Sequence, residues 1–148
     1  MDCVFCAIAA GQLPAHRLFE DEHFLVILDI YPLRPAHVLI VSREHAPYLS
    51  DLSAAARAHL LTLAERMTRA LRGSGYGSEG INLLLNDGPA ANQHVPHLHV
   101  HLIPRRSGDL LGGAWRVLTR FLPVGRQALQ ARLDAEAGLL RNALKRES

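Results

Sequence analysis

The chain has 148 residues and a mass of 16.3 kDa, enough for one domain with a single core and too short for two ordinary ones. An apolar content of 49% with 20% charged residues excludes a disordered chain. A formal net charge of only +2 does not call for nucleic acid, and since Lys145 is the one lysine, the positive charge is almost wholly scattered surface Arg.

Val4 to Ala10 is a short apolar stretch preceded by Asp2 rather than by a basic residue, so it does not read as an export signal. No run approaches the roughly 20 apolar residues of a membrane span. The chain is therefore expected to be soluble and cytoplasmic, with Cys3 and Cys6 unpaired in a reducing compartment. Arg17 to Glu20 and Phe24 to Asp29 read as a hairpin around Asp21-Glu22, and His37 to Arg43 as a strand after the breakers Pro32 and Pro35.

Asp51 or Ser53 can cap a helix whose apolar positions Leu60, Leu63, Ala64, Met67 and Leu71 recur at three and four, ending before Gly73-Ser74-Gly75. Gly80 to Asn86 reads as a strand, Asp87 to Asn92 as a loop, and Val95 to Ile103 as a strand with Pro96 near its start. After Pro123, Leu129, Leu133, Ala137, Leu140 and Leu144 share one helical face, with Arg and Glu elsewhere. This helix is expected to pack on its own domain or to make a subunit contact. The pattern divides the chain into a domain over 1–122 and a helical tail over 123–148.

His97, His99 and His101 alternate with Leu98, Val100 and Leu102, so on a strand all three imidazoles face one way. Three half-polar rings in a row bring no packing benefit, which leaves two chemical readings: zinc ligation, or a nucleophile flanked by acid and orienting groups. The outer two lie about 13 Å apart at roughly 3.3 Å per residue. One tetrahedral ion cannot use all three. Cys3-Val4-Phe5-Cys6, a CxxC, is on its own a redox pair, a metal knuckle or two buried thiols; no βαβ context supports the redox reading.

The run NDGPAANQHVPHLHVHLIPR resembles the signature of the histidine triad (HIT) family of nucleotide hydrolases and transferases, and DEHFLVILDIYPLRPAHVLIVSREH and CVFCAIAAGQLPA extend the likeness over most of residues 3–106. It implies an α+β fold with a five-stranded, mainly antiparallel sheet, a long central helix and a C-terminal helix, paired into a homodimer through the central helix and an edge strand. It further implies a hydrolase acting at the α-phosphate of a purine nucleotide, such as an AMP or GMP conjugate in a phosphoramidate or dinucleoside polyphosphate.

In that likeness His99 attacks phosphorus and forms a nucleotidyl-histidine intermediate that water resolves. His101 meets the phosphate and leaving group, His37 supports the site from the neighbouring strand, and Asn86 and Gln93 donate to phosphate oxygens. Asp29 falls where the family binds ribose hydroxyls, and Phe5, Ile8, Ile27 and Ile30 match its apolar base pocket; without the likeness those four read as core. No catalytic metal is implied. Zinc-binding bacterial-type members carry the same CxxC, which here sets Cys3, Cys6, His45 and His97 as a closed, structural zinc site.

Two positions depart from the pattern. Asn92 stands where the family usually has Gly, and His94 where Ser or Thr commonly touches phosphate; His94 is kept as a binding candidate beside a plain solvent-facing role. A transferase of the same family, a nucleotide sensor with little turnover and a zinc-dependent hydrolase are the alternative readings. What the tail after Pro104, with Trp115, selects is open at this level.

Overall fold

The computed structural model describes residues 3–109, 121–122 and 125–147. Its elements in chain order are α1 (Val4–Ala9), β1 (Arg17–Glu20), β2 (Phe24–Leu28), β3 (Val38–Ser42), α2 (Ala54–Gly73), β4 (Gly80–Leu85), β5 (His99–Arg105) and α3 (Arg126–Arg146), with short 3-10 turns at Leu49–Asp51 and Pro89–Ala91. The five strands form one sheet in the order β1-β2-β3-β5-β4, and each neighbouring pair is antiparallel. The fold is the α+β architecture that the sequence led us to expect.

Strand alternation sorts the sheet into two faces. Phe24, Val26, Leu28, Val38, Ile40, Val100 and Leu102 pack against α2 and α3 in the main core. Leu25, Ile27, Leu39 and Val41 face the other way and are covered by Cys3, Phe5 and Ile8 of the N-terminal segment. With both faces covered, every residue of β2 and β3 is buried, which is why these strands read as unbroken apolar runs.

The register across the sheet builds the site. Ile27 pairs with Leu39, Leu39 with His101, and His101 with Leu84; Leu25 pairs with Val41, and Val41 with His99. The two central-strand histidines therefore sit in rows whose other members are aliphatic. Covering this face with α1, a helix that pattern reading did not assign, closes a cavity instead of leaving a flat sheet.

Three boundaries differ from expectation. The last strand begins at His99, not Val95, because Pro96 carries no N–H for a ladder and the chain turns there: His97 N–H donates to Val95 O at 2.8 Å, and Leu98 N–H to Ala46 O at 2.7 Å. It continues to Arg105, with Pro104 paired opposite the edge strand's Ile81. The central helix runs through Gly73 before Ser74 ends it, and Ser53 rather than Asp51 caps it, accepting from Ala56 N–H. Asp51 instead accepts from Tyr48 N–H in the preceding turn.

The fourth difference is Glu136, because the pattern sets the Glu residues of the tail helix off its apolar face. It is 2% exposed and shares the buried face of α3 with Leu133, Ala137, Leu140, Ala143 and Leu144. That face belongs to the same core as the sheet.

Asp21 organises the β1–β2 turn. Its Oδ1 accepts from His23 N–H at 2.9 Å and Phe24 N–H at 2.8 Å, and its Oδ2 lies 2.6 Å from His59 Nε2 on α2. Burial works against ionisation, but the His59 bond and the two backbone donors outweigh it and hold the carboxyl below its ordinary value of 3.8. A carboxylate depressed on folding adds stability above its unfolded pKa and loses it as pH falls through the folded one. Asp21→Ala is expected to lose about 1 kcal/mol or more at pH 7 in urea unfolding, with the gap to wild type closing as pH drops below about 4.

Candidate active site and metal centre

A cavity of about 630 Å³ opens on the α1 side of the sheet, within the size range of small-ligand pockets. Phe5, Ile8, Ile27 and Leu39 give it an apolar wall, while Asp29, Asn86, His94, His99 and His101 bring polar atoms to it. Of the apolar residues assigned from sequence, Phe5, Ile8 and Ile27 are buried, whereas Ile30 is 47% exposed and forms part of the rim. The strand ends at Leu28, so Ile30 is past the alternation that would have buried it.

His99 is buried against Phe5, with ring centroids 5.0 Å apart. Its Nδ1 lies 2.7 Å from the carbonyl oxygen of His97. A carbonyl can only accept, so Nδ1 carries the proton and Nε2 keeps its lone pair. Burial pushes the imidazole below its ordinary pKa of 6.5, against the His97 carbonyl and the Asp29 carboxylate, which favour the charged form, and with His94 acting in the same direction as burial. The ring is thus held neutral, in one tautomer, with a nucleophilic nitrogen.

A second chain of bonds runs beside it. Leu33 N–H donates to His37 Nδ1 at 3.1 Å, so His37 carries its proton on Nε2, which lies 2.9 Å from His101 Nδ1. His101 then accepts at Nδ1 and is protonated at Nε2. One ring presents a lone pair and its neighbour an N–H, with their centroids 5.0 Å apart. His37 is 1% exposed and stands behind His101, outside the cavity wall.

Asp29 caps the loop after β2, its Oδ1 accepting from Tyr31 N–H at 2.8 Å, while Oδ2 lies 3.5 Å from His37 Nδ1. Asn86 lines the cavity from the end of the edge strand. Gln93, expected as a phosphate donor, is not brought to the cavity: its Nε2 donates to Pro47 O at 2.7 Å and its Oε1 accepts from Gly88 N–H at 2.8 Å. It staples the loop that carries His94 and Asn92. Asn92 adopts the left-handed backbone, φ 63°, which Gly favours and Asn tolerates, so the departure at this position keeps the turn. His94 is exposed at the cavity edge.

Sequence reasoning missed Tyr31 and Phe121, whose rings pair at 5.1 Å beside the cavity they both line. Phe121 lies 90 residues beyond Tyr31 and follows no motif, so no sequence signal pointed to it. Trp115 lies outside the described residues.

Behind His99, a second cluster gathers four ligand atoms within 4.8 Å of one another: Cys3 Sγ, Cys6 Sγ and a ring nitrogen each from His45 and His97. His97 Nδ1 is 3.3 Å from Cys3 Sγ and 3.5 Å from Cys6 Sγ, and His45 Nδ1 is 3.3 Å from Cys6 Sγ. His97 Nε2–H donates to Ser42 O at 2.7 Å, which fixes the tautomer and aims the Nδ1 lone pair at the thiols. Burial, with His45 and His99 nearby, pushes this ring below its ordinary pKa against the Ser42 carbonyl, as a neutral ligand requires. Two thiols and two imidazoles at these separations fit a tetrahedral metal such as zinc, with no open position.

A model of the HIT domain matches residues 10–108. An uncharacterized HIT-like protein of Mycobacterium tuberculosis is 40% identical over 120 residues, 81% of this chain and 83% of that one. The adenosine 5′-monophosphoramidase of Schizosaccharomyces pombe is 37% identical over 78% of this chain and 84% of its own. The crystal structure of a zinc-bound histidine triad family protein from Mycobacterium smegmatis superimposes with a TM-score of 0.78 at 38% identity, covering 99% of this chain and 95% of that one. The chain belongs to the histidine triad family.

The tautomer assignment is directly measurable. Nitrogen-15 NMR at pH 7 is expected to show His99 as a neutral ring protonated at Nδ1 and His37 as one protonated at Nε2; the reverse assignment at His99 would remove the nucleophile.

Proposed function

We propose that this protein hydrolyses nucleotide conjugates at the α-phosphate, with His99 as the nucleophile. The observation that carries this reading is the 2.7 Å bond from His99 Nδ1–H to the His97 carbonyl, which leaves Nε2 unprotonated beside a cavity of nucleotide size. The monophosphoramidase name of the fission-yeast relative supports an AMP conjugate as substrate.

In the first step the Nε2 lone pair attacks the α-phosphorus and the bond from phosphorus to the leaving group breaks. The leaving group accepts a hydrogen bond from His101 Nε2–H and takes its proton from a solvent water as it departs, leaving hydroxide in solvent, and the phosphorylated His99 ring keeps Nδ1–H on the His97 carbonyl. In the second step water attacks phosphorus and loses its proton to the solvent hydroxide left by the first step, the P–N bond breaks, and the nucleoside monophosphate leaves with the His99 ring neutral again. His37 holds His101 in the tautomer that donates to the leaving group. Asn86 and His94 face the phosphate oxygens, Asp29 accepts from ribose hydroxyls, and Phe5, Ile8 and Ile27 receive a purine, with Ile30 at the rim.

Zinc on Cys3, Cys6, His45 and His97 would act as a crosslink, tying the N-terminal segment to the loop after β3 and to the turn before β5. Leu61 on α2 and Leu83 and Leu84 on the edge strand are exposed apolar residues, which suits a homodimer formed through these elements. Both cysteines are free thiols, consistent with a reducing, cytoplasmic setting.

His99→Ala is expected to lower kcat on an adenosine phosphoramidate by about a thousandfold or more while leaving the melting temperature near wild type; equal rates would refute the mechanism. Binding of AMP without turnover by wild type would mark a sensor instead. Removing zinc with a chelator is expected to lower stability and activity together. A metal-stripped protein that stays folded and loses all activity would point to a catalytic ion.

A further inference from the structure

We propose that Glu136, on the tail helix, is a positioning residue that holds the β2–β3 loop so that His37 keeps His101 in its working tautomer, an inference that rests on the reading of His99 and His101 above. Glu136 Oε2 accepts the backbone N–H of Ala36 at 2.9 Å across 100 positions of sequence. Ala36 is fully buried with φ 57°, a left-handed conformation unusual for alanine. A buried acceptor on a strained peptide next to His37 is where a small displacement reaches the site.

The loop is short of alternatives. Asp29 N–H donates to His37 O at 2.9 Å, His37 N–H to Arg34 O at 3.2 Å, and Leu33 N–H to the His37 ring. These bonds close the loop on itself, and each depends on the backbone near His37 keeping its course. Glu136 ties that backbone to the helix core, since Leu133, Ala137 and Leu140 around it are all buried. Arg132 Nε lies 3.1 Å from the other carboxylate oxygen, and the Tyr76 hydroxyl is raised above its ordinary pKa by burial and by this same carboxylate. The carboxylate therefore sits in a fixed surrounding, with one oxygen committed to Ala36.

If Glu136 acts by reach, the acceptor matters more than the charge. Glu136→Gln keeps an oxygen at the same distance; Glu136→Asp keeps the charge and withdraws it by one carbon; Glu136→Leu removes the acceptor. Gly accepts a positive φ without strain, so an Ala36→Gly background should need the acceptor less.

The test measures kcat and KM on an adenosine phosphoramidate, with nitrogen-15 NMR of the His37 ring, for these variants as full chains. Glu136→Leu is expected to lose about tenfold or more in kcat with KM within about threefold, and to show His37 no longer fixed as the Nε2–H form. Glu136→Gln should retain more of kcat and of the His37 signature than Glu136→Asp, and the Leu penalty should shrink at least about threefold on the Ala36→Gly background.

A Glu136→Leu protein with wild-type kcat and wild-type His37 signal would overturn the proposal. So would a loss of activity with the His37 signal unchanged, or Asp outperforming Gln. If Glu136→Leu does not fold, the Gln and Asp comparison decides by the same two readouts. If wild type turns nothing over, the reading of His99 fails, while the His37 signal still judges Glu136.

Discussion

The hydrogen bond between the His99 ring and the His97 carbonyl is the constraint around which the rest is arranged. Making that carbonyl available requires the chain to leave the ladder just before His99, and Pro96 provides the break. A regular strand from Val95 would have spent the His97 backbone on its neighbour. Instead the turn places the carbonyl under Nδ1, which holds the proton there, and burial keeps the ring neutral by disfavouring its charged form.

His97 also faces the other way. Its ring joins Cys3, Cys6 and His45 while its backbone orients His99, so one residue belongs to both the cysteine-histidine cluster and the support of the His99 ring. Phe5 makes the same link in the apolar direction: it lies between the two cysteines in sequence and packs on the rings of both His97 and His99. Displacing the N-terminal segment would move a wall of the cavity and loosen the His99 ring at once. This coupling follows from contacts and does not depend on a direct role for metal in the chemistry.

The regular parts of this arrangement were legible because each had a local cause. Alternation of His with Leu and Val put His99 and His101 on one face, and the apolar runs marked β2 and β3, whose register then brought Leu39 opposite His101. What stayed hidden was set by tertiary geometry. The amide of Gln93 bonds Pro47 and Gly88 and does not line the cavity, and nothing in its neighbours announces that choice. The α1 helix is six residues long, below the length at which periodicity is readable.

Glu136 is the instructive case, because a signal existed. It sits three residues after Leu133 and four before Leu140, a spacing that brings it beside the apolar face, and a charged residue so placed is rare unless it has a partner. The partner is a backbone N–H in a loop far away in sequence, so only the fold could supply it. The core of this domain is therefore not separable into a sheet that carries the site and an appended helix. Leu133 and Leu140 bury apolar area against the sheet side of the core, and the carboxylate between them accepts from the buried Ala36 peptide of the β2–β3 loop, one residue before His37. Packing and site geometry are met by the same turn of helix.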